Sequence, residues 1–508
     1  MTTCRMPIAL ATALVLLPMS GCRVGPKYQR PPALAQAPPT TYKESPQNFA
    51  ADGSGWKVAQ PQDAMLRGKW WEIYNDPELN ALEEKVSIDN QNIKQAFASF
   101  MEARTLIAQA RSQLYPTIGV GPGYTRSENS ANTGSSTGSG TVSTNRQTNL
   151  ISLPFDVSWE PDLWGRIRNQ IRAEQYNAQI SAADLENVRL SEQANLAAYY
   201  FQIRGQDALQ AILNETVAND QKSLDYTRAQ YDTGIGAEIS VVEATNTLQN
   251  AQAAATNLGV ARAQYEHAIA VLIGTNPSSF SVPVKPLNAT PPTIPIGIPS
   301  QLLERRPDIA ASERSMAAAN AQIGVATAAF YPTVTISASA GLESSVWKRL
   351  FDWSSRFWSV GPSISETIYE GGLRRATVQQ YTEAYNGTVA GYRQTVLTAF
   401  QQVEDYLASV RILTQQVEQQ KAAEVSARRF VELETTRYQT GIDPYINLVT
   451  AQNTLLSDQQ ALAAIHTQEM TASVQLIVAL GGGWDSTQLP TPAQVSERLT
   501  PAETTIQR

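Results

Sequence analysis

Strict alternation marks the clearest segment of the chain. Ile151, Leu153, Phe155, Val157 and Trp159 alternate with Ser152, Pro154, Asp156 and Ser158, and this period of two predicts a strand over about 150–160. A second run sets Val334, Ile336, Ala338, Ala340 and Leu342 against Thr335, Ser337, Ser339 and Gly341, predicting a strand over about 332–342. Trp358, Val360, Pro362 and Ile364 predict its return over about 356–368, and a further strand is read at about 117–125. Ser127–Asn149, dominated by Ser, Thr, Gly and Asn, reads as a polar flexible loop.

Between these strands the pattern turns helical. Asp76, Pro77 and Glu78 open a helix over about Glu78–Tyr115, which Pro116 ends. After Gly165 only Gly205 interrupts before the Thr233-Gly234-Ile235-Gly236 turn, which predicts a helix of nearly 70 residues, about 100 Å long. A further helix, about Ala237–Ile273, carries a heptad seam: Val241, Ala244, Leu248, Ala251, Ala255, Leu258, Arg262, Tyr265, Ile269 and Leu272. The rest of the chain predicts helices at about Ser300–Phe330, Gly372–Thr440 and Pro444–Leu480. In each half the two shorter helices together match the long one. Stacked end to end they would form its antiparallel partner, giving a rod of about 100 Å.

The chain states this plan twice. Tyr231–Leu248 recurs at Tyr438–Leu455, an offset of 207 with ten of eighteen positions identical, and Tyr115-Pro116-Thr117 recurs at Tyr331-Pro332-Thr333, an offset of 216. The chain therefore divides into a signal segment (1–21), an extended, poorly packed leader (22–75), a first repeat (76–274), a Pro-rich linker (275–299), a second repeat (300–480) and a flexible tail (481–508).

The strands set apolar residues against Ser, Thr or Gly, with aromatics near their ends (Tyr115, Trp159, Trp164, Tyr331, Trp347, Trp353, Trp358, Tyr369). That is the composition of a barrel with lipid outside and water within. Four strands cannot close a barrel, and an open edge cannot sit in lipid. Several chains must share one: a trimer would give 12 strands and a dimer 8. The fold class is mostly α with a transmembrane β-barrel.

Composition narrows the function. The chain has 508 residues, 42% apolar, and a net charge of −7, so nothing basic marks a nucleic-acid partner. Arg5, the apolar run Pro7–Pro18 and the Met19-Ser20-Gly21-Cys22 sequence resemble a bacterial lipoprotein signal, in which Cys22 receives lipid. Cys4 would leave with the signal, so the mature chain could form no internal disulfide. No later apolar run is long enough for a transmembrane helix. HExxH, GxSxG and phosphate-loop motifs are absent, and the two histidines, His267 and His466, sit on separate predicted helices. No enzyme, cofactor or metal site is expected.

Four stretches, Lys69–Val86, Leu302–Val334, Ser355–Ala376 and Arg437–Leu455, resemble the TolC-like outer membrane factors, specifically their NodT/OprM-type efflux lipoproteins. The resemblance implies a homotrimer with a 12-stranded barrel in outer-membrane lipid and an α-helical tunnel in the periplasm. It implies a duct for small molecules, fed by a periplasmic adaptor and an inner-membrane RND-type pump. The exit duct of a type I protein secretion system and a structural coiled-coil lipoprotein are the alternatives. The tunnel tip is expected to dock the adaptor and form the gate, through Gly234, Gly236 and Glu243 on one turn and Gly441, Asp443, Asn447 and Thr450 on the other. Tyr438 matches the family's inter-helix latch. Many members carry gate aspartates where this chain has Asn447 and Thr450, so Asp443 or Glu243 is expected to supply any acidic ring.

Overall fold

The computed structural model describes residues 23–34, 42–44, 68–128, 147–294 and 302–497. The signal segment, Cys22 and most of the polar loop expected at 127–149 lie outside them. Asp76 caps α1 (Pro77–Asp89) by accepting from the Glu78 and Leu79 amides at 3.0 and 3.4 Å, with Pro77 fixing the first turn. α2 (Gln91–Ser112) follows after Asn90, whose backbone is extended. The single helix expected over 78–115 is therefore two. The second half breaks the same way, at Arg306, between α5 (Leu302–Arg305) and α6 (Pro307–Ala328), so the single helix expected over 300–330 is also two. A residue before proline is pushed out of the helical region, and Pro307 does this to Arg306.

The breaks make one joint, built twice. Asn90 donates to the Leu272 carbonyl at 2.9 Å, and Arg306 donates to the Ala479 carbonyl at 3.1 Å. These carbonyls end α4 (Glu238–Leu272) and α8 (Tyr445–Ala479), and would otherwise be orphaned. The glycine two residues on closes the joint in each half. A Cβ on Gly274 (φ +68°) would lie 2.6 Å from the Asp89 carbonyl oxygen, and one on Gly481 (φ +100°) 2.0 Å from that of Arg305. Left-handed strain and collision with backbone add, so Gly481→Ala is expected to lose about 3 kcal/mol of stability. Thermal unfolding should separate it from Gly371→Ala, where φ is +64° but the Cβ meets open space, and the loss should be about 1 kcal/mol.

The long helices α3 (Arg166–Asp232) and α7 (Leu373–Gln439) have 67 residues each, and α4 and α8 have 35 each. Both ends of α7 and of α8 lie 207 residues after those of α3 and α4. α2 and α4 both lie along α3, while α6 and α8 both lie along α7 and also touch α3. The α4 seam faces inward, with Ala244, Leu248, Ala251, Ile269 and Leu272 buried. Its charged member, Arg262, donates to Asp207 at 2.7 Å and to the Val282 carbonyl.

The strands β1 (Thr117–Val120), β2 (Gly123–Glu128), β3 (Gln147–Trp159), β4 (Thr333–Ser344) and β5 (Arg356–Ser365) form one antiparallel sheet. β1 and β2 pair β3 in one continuous register, Val120 with Phe155 and Gly123 with Ser152. They are one strand interrupted at Pro122, which has no N–H to give the ladder. The sheet thus has four strand positions. Opposed residues share a face. Val120, Phe155, Ala340 and Trp358 form one row across all four positions, and Ile118, Val157, Ala338 and Val360 the next. The intervening row, Gly119, Asp156, Ser339 and Ser359, lies on the other face. The two apolar rows run from edge to edge, and their edge-strand members are exposed, Ile118 at 74% and Val360 at 66%.

The leader and tail are packed where described, against expectation. Val24 donates to the Trp164 carbonyl, Asn320 to that of Pro26, the Tyr28 hydroxyl to Glu313 at 2.6 Å and Arg30 to the Tyr392 hydroxyl at 2.9 Å. Tyr42 is buried, and Arg411 pairs with Glu44 at 2.9 Å. The tail folds back along α2 and α3. Trp484 and Val495 are buried, Gln179 donates to the Pro490 carbonyl and Arg111 to that of Ser496. The composition of both segments suits extended chain, which here lies in grooves between helices.

Candidate functional site at the helical tips

The two helical hairpins, α3–α4 and α7–α8, turn at Gly234 and Gly441. Both glycines are left-handed, φ +76° and +73°, and close C-terminal caps in which Ile235 donates to the Gln230 carbonyl and Ile442 to that of Arg437, each at 2.9 Å. No atom lies within 4 Å of a Cβ built on either glycine, so only φ demands glycine there. Gly236 differs: its Cβ would press on Gln230 and Tyr231 at 3.1 Å.

Behind the turns the hairpins are stitched together. The Tyr438 hydroxyl donates to Gln230 Oε1 at 2.8 Å and lies 3.4 Å from Thr227 Oγ1, both on α3. Its ring sits 5.6 Å from Tyr226 and 5.3 Å from Tyr445, and the Tyr226 hydroxyl donates to the Gln439 carbonyl. Leu224, Ala244, Leu248 and Leu448 complete the cluster. Beside it a cavity of about 690 Å³ is lined by Asp220, Tyr226, Arg428, Tyr438 and Gln452, among others. Among the described residues no group of three His, Cys, Asp or Glu side chains could hold a metal ion.

The model of the family described as outer membrane efflux protein matches residues 84–275 and 298–482. The chain belongs to the outer membrane efflux protein family. It is 29% identical over 487 residues to the toluene efflux pump outer membrane protein TtgF of Pseudomonas putida, covering 96% of this chain and 98% of that one. It is 27% identical over 483 residues to the cation efflux system protein CusC of Escherichia coli, covering 94% and 99%. Among solved structures, the outer-membrane channel OprN superposes with a TM-score of 0.79 at 27% identity, covering 91% of this chain and all of that one. This outer membrane efflux protein is accordingly a TolC-like channel, with its barrel in the outer membrane and its helices as a periplasmic tunnel. The family is one of ducts, not of enzymes.

The efflux protein brings the expected tip residues to two adjacent turns, with different surroundings. Asp443 pairs with Arg437, whose guanidinium holds its carboxyl below the usual range. Glu243 is half-buried, with no ion pair among the described residues. Asn447 and Thr450 are exposed, and the Thr450 hydroxyl donates back to the Ile446 carbonyl. Sequence reasoning missed the exposed apolar side chains around the turns. Ile235 is 81% exposed, and Ile239, Ile442 and Ile446 are also open. They were legible as two identical pairs in the repeated motif.

It also missed Asp220, which is buried with Oδ2 unpartnered. Burial pushes its carboxyl up to about 6. Glu215, Lys222, Tyr226, Arg428, Glu432 and Tyr438 line the cavity with it, and Tyr445 and Glu243 lie close by. The folded tip holds a proton there that an open, hydrated tip releases near the ordinary carboxylate value. The folded tip is therefore most stable below pH 4, and weakens as pH rises to about 6 by an amount on the order of 2 kcal/mol. Hydrogen exchange of the α3 amides around Asp220 should quicken from pH 5 to pH 7 beyond the intrinsic rate. Asp220→Asn should remove that excess.

Proposed function

We propose that three copies of this chain pool their strands into one 12-stranded barrel, and their helices into one tunnel that exports small molecules. The observation that carries this reading is the sheet: four strand positions, two unpaired edges, and central rows that are apolar on one face and polar on the other. Such a sheet is stable in lipid only when closed by further copies. Cys22 carries the lipid anchor, and the leader running down the rod from Val24 keeps that anchor beside the barrel.

A periplasmic adaptor docks on the tips, and an inner-membrane RND-type pump drives transport. The exposed isoleucines of both turns supply apolar contact area, and Gly234 and Gly441 hold the turns in shape. The Tyr438 latch keeps the hairpins together in the closed state. With Asp443 neutralised by Arg437, Glu243 is the acid left to ring the bore. The chain's relatives are named for toluene and for cations, so the family alone assigns no cargo.

Planar-bilayer conductance of the purified protein, with its mass in detergent, tests the duct. Discrete ion-conducting events from a trimer are expected. A monomer with no conductance would remove the reading and leave the strut alternative.

A further inference from the structure

A groove at the top of the helical body gathers four cations that none of the features above uses. Arg23 and Lys27 of the leader and Arg168 and Arg172 of α3 line a space of about 640 Å³, completed by Gly25, Ile171 and Gln175. No carboxylate lines it. Arg168 is held in place by Asp162, Nε to Oδ2 at 3.0 Å. The side chains of Arg23, Lys27 and Arg172 have no hydrogen bond or ion pair among the described residues. Their charges are uncompensated at short range.

The groove is preformed. The leader backbone is pinned on both sides, by Val24 donating to the Trp164 carbonyl at 3.1 Å and by Asn169 donating to the Val24 carbonyl at 3.1 Å. Two glycines let it approach closely. A Cβ on Gly165 would lie 3.0 Å from Arg23 Cα, and one on Gly25 would lie 2.5 Å from Gly324 Cα. Three cations held apart by such a scaffold lose little freedom on binding an anion.

Position decides which anion. β3 ends at Trp159 and α3 begins at Arg166, so Arg168 and Arg172 sit within about 10 Å of the barrel end of that helix. Trp164 stacks on Tyr331 at 4.8 Å at the same level, as aromatic residues do at a lipid–water boundary. Arg23 directly follows Cys22 in sequence. On the outer-membrane reading above, this is the level of the periplasmic leaflet's headgroups.

We propose that the groove binds the phosphate of an anionic phospholipid headgroup from that leaflet, one per protomer. Arginine guanidinia grip phosphate oxygens with paired N–H donors. A zwitterionic headgroup brings its own cation into the same groove, and that cation is repelled. The site would orient the channel at its boundary lipid independently of the anchor on Cys22.

The test uses the detergent-purified oligomer with short-chain phosphatidylglycerol, short-chain phosphatidylcholine and glycerol 3-phosphate as separate probes, read by native mass spectrometry. Phosphatidylglycerol is expected to bind about tenfold more tightly than phosphatidylcholine. In Lys27→Gln/Arg172→Gln that preference should vanish, with oligomer mass and conductance unchanged. Equal binding of the two lipids, or a preference the double variant retains, overturns the proposal. Glycerol 3-phosphate binding as tightly as phosphatidylglycerol overturns the lipid assignment in favour of a soluble phosphate. Wild-type protein without conductance would sink the duct instead, and the lipid comparison would still be read on its own.

Discussion

Val360→Arg is expected to abolish membrane insertion, whereas Ser359→Arg, one residue away, is expected to insert and alter conductance. Val360 lies exposed in the middle of β5 (Arg356–Ser365), in the apolar row with Ile118, Val157 and Ala338. An arginine on the lipid face at the bilayer midplane costs about 2–4 kcal/mol. In the proposed symmetric trimer that penalty falls three times on one assembly step. Ser359 belongs to the polar row with Gly119, Asp156 and Ser339. An added cation there faces water in the lumen and should lower cation conductance without affecting assembly. Membrane fractionation and bilayer recording read the pair. Equal insertion of both variants would show that the faces are misassigned, and the shared-barrel argument would lose its basis.

The rows behind this prediction were legible because alternation of period two assigns a face to each strand residue directly. The two offsets, 207 and 216, were legible too. They turn out to organise the tertiary joints, since Leu272 and Ala479 are 207 apart while Asn90 and Arg306 are 216 apart. Hydrophobic periodicity alone predicts continuous helix through the breaks at those joints. Arg306 stands before Pro307, a local signal for a break. Asn90 gives no comparable local signal. Its side chain caps Ile93 at 3.0 Å and reaches a carbonyl 182 residues away, a partner supplied only by the folded rod. The packing of leader and tail depends on distant partners in the same way. Single anchors such as Tyr28, 285 residues from its partner Glu313, and Val495, buried against Ile167 and Ile171, dock segments whose composition otherwise suits unpacked chain. At the tip, resemblance pointed to Tyr438, but only the fold sets it beside Tyr226 and Asp220 near one cavity.

Gly441→Glu is expected to reduce export to background while leaving assembled channels in the outer membrane, and Gly441→Asn is expected to export nearly normally. The left-handed backbone at Gly441 admits asparagine readily, and other residues at about 1–2 kcal/mol. That strain falls on one exposed turn, far from the sheet and from the joint at Gly481, so assembly should survive. Space is not the obstacle either, because no atom lies within 4 Å of the new Cβ. What glutamate changes is the outer surface of the turn. A charged, flexible side chain would stand beside Ile442 and Ile446, which are 64% and 50% exposed. If that apolar surface seats the adaptor, a carboxylate there must be desolvated without a partner, a penalty of several kcal/mol against a contact of modest area. Gly234→Glu, beside Ile235 and Ile239, should behave alike, because the two turns present the same pair of isoleucines. Drug accumulation in cells lacking other channels measures export, and heat-resistant oligomer in the membrane fraction measures assembly. Export at the wild-type level in both glutamate variants would reduce the glycines to helix caps and move the docking surface elsewhere on the rod.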